Sequence, residues 1–357
     1  MSKVDLKNYI CGIPFGNLEI RDSKRFLCCD GWLKNYLPDN STPYDAWNSK
    51  EATEIRNSML DGSFKYCDST ICPYLHQLKT IGDIGQIQPI YHKSNIPFGL
   101  KQLIEKHKIG KLNSPKTIQF SFDKSCNLKC PSCRVELIMA DSKKIKLVKQ
   151  NIQDIQDTFG NDVTMLYITG TGDPFVSVGF RNFLRNFDKT KWPNLQKIHL
   201  HTNATRWNKK MWDSMSNIHP YVKTCEISID AATKDTYENK VRLGGNFDEL
   251  IDNLKFISTI PTLKSIKTSF VVQESNYNEM EEFYDLMYSI FGNKVNVFFG
   301  KITNWGTFTN DEYLKHKVWD ESHPLYNDFV NKLNSFILKD KVWHNLQEFL
   351  NPEKSLI

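Results

Sequence analysis

The sequence predicts an α/β fold organised on a parallel sheet, and three observations predict it. Between about residues 116 and 306, short runs of strand character alternate with segments of helical period, the pattern of strands joined by crossover helices. The strand candidates are residues 118–122, 165–169, 197–201, 226–229, 268–272 and 295–299. Directly after the first of them, Cys126-Asn127-Leu128-Lys129-Cys130-Pro131-Ser132-Cys133 sets three cysteines within eight residues, spaced C-x3-C-x2-C. A loop at the C-terminal end of a strand is where such sheets keep their chemistry. Thiolates are soft ligands for zinc or iron–sulfur clusters. A closed zinc site wants a fourth Cys or His close by, and none follows soon after Cys133. Three ligands leave one metal of a four-metal cluster open to a ligand from outside the chain.

Composition narrows the class. The chain has 357 residues, 40% of them hydrophobic and 24% charged, as in an ordinary soluble globular protein. It has no run of eighteen apolar residues, the length that reads as a membrane span. The net charge of +5, from 46 basic and 41 acidic residues, is too mild to argue for nucleic acid. The opening Met-Ser-Lys-Val-Asp-Leu lacks the apolar core of a signal peptide, so a cytoplasmic location is expected. Nine cysteines in such a chain argue for metal rather than disulfides. Cys11, Cys28, Cys29, Cys67 and Cys72 form an early group, Cys126, Cys130 and Cys133 a second, and Cys225 reads as a buried strand residue.

Taken in order, residues 1–80 read as a small module. Leu18-Glu19-Ile20 and Arg25-Phe26-Leu27-Cys28-Cys29 predict two short strands about the turn Asp22-Ser23. A loop through Pro38, Asp39, Asn40 and Pro43 leads to Trp47-Asn48-Ser49, where Asn48 or Ser49 caps a helix reaching about Leu60. Cys67 and Cys72 follow. Residues 81–115 are a connector punctuated by Gly82, Gly85, Pro89, Asn95, Pro97 and Gly99, with a short helix over 100–107. Residues 116–306 hold the strand–helix alternation, including a helix over 247–260. Residues 307–357 carry two helical stretches, 324–338 and 343–350, the first striped by Phe329, Leu333 and Phe336.

Three motifs stand at the ends of the central strands. The first is Gly170-Thr171-Gly172-Asp173-Pro174, where glycine lets backbone approach a ligand and a carboxylate suits an ammonium group. The second is His201-Thr202-Asn203-Ala204. The third is Glu226-Ile227-Ser228-Ile229-Asp230-Ala231, followed twelve residues beyond Asp230 by Arg242-Leu243-Gly244-Gly245-Asn246-Phe247-Asp248. An arginine fork suits a carboxylate through two parallel hydrogen bonds. The plain readings are a Gly-rich turn, a polar turn and a surface ion pair.

In this order, the cysteine loop and the motifs resemble the radical S-adenosylmethionine (SAM) superfamily, over about residues 10–306. The resemblance implies a partial (β/α)6 TIM-type barrel preceded by a small cysteine-rich α+β module. It implies a [4Fe-4S] cluster on Cys126, Cys130 and Cys133, with SAM on the fourth iron. The Gly-Gly-Glu-Pro motif of the superfamily, which binds the SAM amino group, is matched by Thr171, Gly172 and Asp173, with Thr for Gly and Asp for Glu. Its Thr-Asn-Gly is matched by Thr202, Asn203 and Ala204; Ser228 is implied on the SAM ribose and Arg242 on the SAM carboxylate. The first 80 residues resemble its SPASM and twitch auxiliary-cluster modules, here placed before the core. That likeness implies an auxiliary [4Fe-4S] cluster on Cys11, Cys28, Cys67 and Cys72, with Cys28 preferred to Cys29; zinc on the same four is the alternative. Expected partners are a flavodoxin or ferredoxin reductant and a peptide or protein substrate, since related modules often accompany peptide modification. A small sugar or nucleoside derivative, or a non-catalytic metal-bearing binding protein, are the competing readings.

Overall fold

Period-two burial defines the strands, and the computed structural model describes them within residues 4–29, 31–33, 35–38, 41–80, 89–336 and 342–350. Asp39, Asn40, Gly82 and Gly85, read above as loop residues, lie outside the described residues. So does the end of the helix expected over 324–338. The chain forms two units: Met1–Asp123 with Lys144–Thr171 and Asp188–Lys197, and Lys124–Lys143 with Gly172–Phe187 and Ile198–Ile357.

The first unit contains β1 (Tyr9–Cys11), β2 (Asn17–Arg21), β3 (Lys24–Phe26), β4 (Ile90–His92), β5 (Thr117–Ser121) and β6 (Met165–Ile168). β1 pairs antiparallel with β4, which sets Cys11 opposite Ile90. β2 and β3 form the expected hairpin. Its left-handed residue is Asp22, at φ 53°, a residue type that tolerates that region. β2 also runs parallel to β5, from Asn17↔Thr117 to Arg21↔Ser121, and β5 runs parallel to β6. The early cysteine-bearing hairpin is thereby part of the same sheet as the first core strands.

Trp47-Asn48-Ser49 has three separate structural tasks in this unit. Trp47 is fully buried under the Arg56 guanidinium, 4.2 Å from its ring centroid. Asn48 exchanges two hydrogen bonds of 2.9 Å with the backbone of Leu112. Ser49 caps the helix Lys50–Leu60 by accepting from Ala52 N.

The second unit contains β7 (Lys197–Thr202) from Ile198 on, β8 (Val222–Ser228), β9 (Ser265–Val272), β10 (Val295–Lys301) and β11 (Val342–His344). Neighbours from β7 to β11 pair in parallel in that order. The helices Phe247–Ser258 and Met280–Phe291 connect β8 to β9 and β9 to β10. Two readings change here. β8 and β9 begin four and three residues before the starts expected from sequence, at Val222 and Ser265, because polar side chains alternate through their first halves. The helix expected over 343–350 is replaced by β11 and a short 3-10 turn, Gln347–Phe349. A stretch that short cannot be assigned by period, and Val-Trp-His has strand propensity. Among the described residues no helix is long and apolar enough to cross a membrane.

Candidate metal and cofactor sites

The second unit gathers Cys126, Cys130, Cys133, Asp173, Asn203, Ser228 and Arg242. Three backbone bonds hold the cysteine loop: Cys126 N to Ile138 O, Asp173 N to Ser125 O, and Lys129 N to Leu243 O, each 2.9 Å. Leu128, fully buried, anchors it between the first two cysteines. Gly244 takes φ +87° beside Asn127, a conformation that favours glycine.

Each sulfur of this loop faces a nitrogen donor. Asn203 Nδ2 donates to Cys126 Sγ at 3.4 Å. Arg242 Nη1 donates to Cys130 Sγ at 3.5 Å, and Arg134 Nη2 to Cys133 Sγ at 3.5 Å. Burial pushes the Cys126 thiol up to about 11, with Asp173 adding to the rise and Arg134 opposing it. Burial raises Cys130 as well, and the Arg242 guanidinium pulls it back. Cys126 and Cys130 are buried, whereas Cys133 is exposed.

Asp173 is buried and accepts three bonds: from Thr202 Oγ1 at 2.7 Å, Asn203 N at 2.9 Å and Phe175 N at 2.9 Å. Its carboxylate therefore ties its own loop to the end of β7. Asn203 continues the network: its Nδ2 also reaches Asn127 Oδ1 at 3.2 Å, and its Oδ1 accepts from Thr205 Oγ1 at 2.6 Å. Ala204 stands where the superfamily motif has glycine and adopts φ 61°, the conformation that explains a glycine there. Thr171 belongs to the first unit, where its hydroxyl donates to Ser121 O at 2.8 Å.

Arg242 is held on three sides. Its Nη2 pairs with Asp230 Oδ2 at 2.7 Å, its Nε donates to Ile229 O at 3.2 Å, and its Nη1 faces Cys130. Burial alone would lower its pKa, but Asp230 and Cys130 outweigh that and keep it cationic. The plain reading of a surface ion pair does not describe it, since both side chains are buried. Ser228 Oγ lies 3.0 Å from His201 Nε2 and 3.2 Å from Ser269 Oγ. Sequence reasoning did not single out Arg134, Asn127 or the role of Asp230. For Asp230 a signal existed: it follows the strand motif directly and, at φ 66°, occupies a conformation disfavoured for a non-glycine residue.

In the first unit Cys11, Cys28, Cys67 and Cys72 line one cavity with Pro14, Trp32 and Phe64. Different elements deliver them: Cys11 ends β1, Cys28 follows β3, Cys67 bridges to Leu33, and Cys72 precedes the helix Pro73–Thr80. Burial raises all four thiols, Cys67 to about 12. Backbone N–H groups oppose the rise, Ile13 at Cys11 and Leu75 and Tyr74 at Cys72. Cys28 lines the cavity and Cys29 does not. Among the described residues no three His, Cys, Asp or Glu side chains stand close enough to hold a single metal ion.

No family model and no curated protein matches this sequence. Solved structures do. Streptococcus suis SuiB bound to the precursor peptide SuiA aligns over 84% of this chain and 64% of its own, at TM-score 0.45 and 16% identity. SuiB bound to S-adenosylmethionine aligns over the same shares at TM-score 0.43 and 15% identity. The anSMEcpe structure with AdoMet and the Cp18Cys peptide covers 65% of this chain and 63% of its own, at TM-score 0.39 and 16% identity. The chain thus spans less than two thirds of the length of these structures, and the likeness is too distant to transfer residues.

Proposed function

We propose that this chain is a radical SAM enzyme with a second, auxiliary metal centre. What supports the reading most is the cysteine loop itself: three thiols from one short segment, each facing its own N–H donor. That surrounding fits a sulfur-ligated cluster, whose potential is set by charge and hydrogen bonds at sulfur. Cys126, Cys130 and Cys133 would hold a [4Fe-4S] cluster, which would supply one-electron reductive cleavage of SAM with the electron drawn from an external reductant, and so the means to take hydrogen from a substrate.

The chain's own residues do the rest. Arg242 has five N–H donors, so after Ile229, Asp230 and Cys130 it still has donors for the SAM carboxylate. Ser228, oriented by His201 and Ser269, is assigned to the ribose. Gly172 offers close backbone approach. Asp173 acts mainly by fixing Thr202 and Asn203, and Asn203 in turn fixes Cys126. Cys11, Cys28, Cys67 and Cys72 are the proposed ligands of an auxiliary [4Fe-4S] cluster; with four protein thiolates it would have no open iron, which favours electron transfer over substrate ligation. A flavodoxin or ferredoxin is the proposed reductant, and a peptide or protein the first-ranked substrate, with a small molecule as the alternative.

The test is dithionite reduction of the anaerobically reconstituted chain with SAM, followed by assay of 5′-deoxyadenosine. Product supports the enzyme. None, under conditions where a control enzyme cleaves SAM, replaces it with a binding protein.

A further inference from the structure

Parallel sheets are normally covered by apolar residues on both faces, and in the second unit only one face of β7–β10 follows that rule. Ile198, Leu200, Cys225, Ile227, Ile266, Phe270, Val295, Val297 and Phe299 are buried on it. The other face is a polar ladder that the register brings into rows. His201 is opposite Glu226, Glu226 opposite Lys267, and Lys267 opposite Asn296. One step on, Ser228 is opposite Ser269, and Ser269 opposite Phe298. One step back, His199 is opposite Thr224, with its Nδ1 2.7 Å from the Thr224 hydroxyl.

The middle row carries an ion pair, Lys267 Nζ to Glu226 Oε1 at 3.2 Å. Its two members differ in access: the Glu226 side chain is 15% exposed and that of Lys267 39%. The Glu226 carboxylate stays ionised, because His201 and Lys267 overcome the rise that burial alone would cause. The ammonium lies 4.3 Å from the centroid of the Phe298 ring, which braces it from one side. An ammonium has three donors, and the bond to Glu226 takes one. Such ionised groups on a sheet face are costly to maintain for stability alone, since apolar residues would serve as well or better. The ladder also runs toward the cysteine loop, through Ser228 to Asp230, Arg242 and Cys130.

We propose that this polar ladder is the substrate's seat and that Lys267 receives a carboxylate of the substrate, with Glu226 and His201 as its positioning residues. The proposal rests on the enzyme reading above and narrows it to carboxylate-bearing substrates. The carboxylate comes either from a free acid or from an acidic residue of a peptide.

The test is a titration of the anaerobically reconstituted full chain with two small probes, N-acetylglutamate amide and its neutral isostere N-acetylglutamine amide. A third probe is an end-blocked hexapeptide with a single Glu. Binding of a carboxylate probe with the neutral isostere at least about tenfold weaker supports the proposal. Preference for the hexapeptide over N-acetylglutamate amide makes the source a peptide, and the reverse makes it a small acid. Lys267→Met should lose the discrimination and Lys267→Arg should keep it. Wild-type protein that binds neither carboxylate probe, or binds acid and amide equally, overturns the proposal without needing any variant. SAM cleavage is measured separately on the wild type: discrimination without cleavage sinks the enzyme reading, whereas cleavage without discrimination sinks only this seat.

Discussion

The quartet Cys11, Cys28, Cys67 and Cys72 and the trio Cys126, Cys130 and Cys133 use the same side chain in contrasting surroundings. The quartet is collected from four elements of the first unit around a cavity whose other walls include Pro14, Trp32 and Phe64. The groups that oppose the rise of its Cys11 and Cys72 thiols are backbone N–H groups. The trio comes from one loop of the second unit, and its sulfurs face two guanidinium groups and a carboxamide. Binding a metal means deprotonating thiols. Neutral dipoles in an apolar cavity suit a centre closed by four thiolates. Fixed cations and an exposed third cysteine fit the open, SAM-binding cluster proposed above.

The largest break in this comparison comes from removing the trio. Replacing Cys126, Cys130 and Cys133 with Ala should abolish SAM cleavage and leave about half of the iron; undiminished cleavage contradicts the assignment. Next is Arg242→Met, which leaves Asp230 buried without its cation. The expected loss is about 3–5 kcal/mol in urea unfolding, partly restored by adding Asp230→Asn. Arg134→Met removes a buried guanidinium that donates to Lys124 O and Cys133 Sγ and should cost about 1–3 kcal/mol; a cost above that of Arg242→Met would contradict this ranking.

Acid titration sharpens the comparison further. Glu226 is held at about 2, against an ordinary value of 4.5. A carboxyl with a lowered folded value contributes stability above its unfolded value and loses it as pH falls. Wild-type protein should therefore lose on the order of 3 kcal/mol more than Glu226→Gln between pH 4.5 and about 2. Parallel stability curves would show that the carboxylate is not held in this way.

Two backbone positions give effects of opposite sign. Gly62 in the first unit has φ +76°, and a Cβ there would come within 2.5 Å of Lys7 Cα. Gly62→Ala should cost about 2 kcal/mol or more. Ala204 in the second unit already bears that strain at φ 61°, so Ala204→Gly should gain up to about 1 kcal/mol. Thermal unfolding reads both; a gain at Gly62 or a loss at Ala204 would contradict the account.

Much of this was legible from residues close together in sequence. The trio's spacing, the strand before it and the Ser228 and Arg242 motifs are local patterns. The second strand–helix units were recognisable because apolar runs end in punctuated turns. What stayed hidden depends on register. Lys223, Thr224 and Lys267 broke the apolar signal and shortened β8 and β9 in the reading, yet Thr224 and Lys267 belong to the polar ladder itself. Arg134 and Asn127 gave no sign of their partners, because Lys124, Cys133 and Thr205 meet them only through loop geometry. Asp173 looked like a ligand-binding carboxylate from its motif, whereas its bonds to Thr202, Asn203 and Phe175 became apparent only with the strand ends in place. β11 was too short for its period to be read at all.

The most direct test of two different sulfur centres is metal analysis alongside SAM cleavage. It compares the reconstituted wild type, the Cys126/Cys130/Cys133→Ala variant and the Cys11/Cys28/Cys67/Cys72→Ala variant. The account predicts about eight irons per chain in the wild type and about four in each variant, with 5′-deoxyadenosine lost when the trio is removed. A trio variant that keeps all the wild-type iron, or that still cleaves SAM at the wild-type rate, would contradict it.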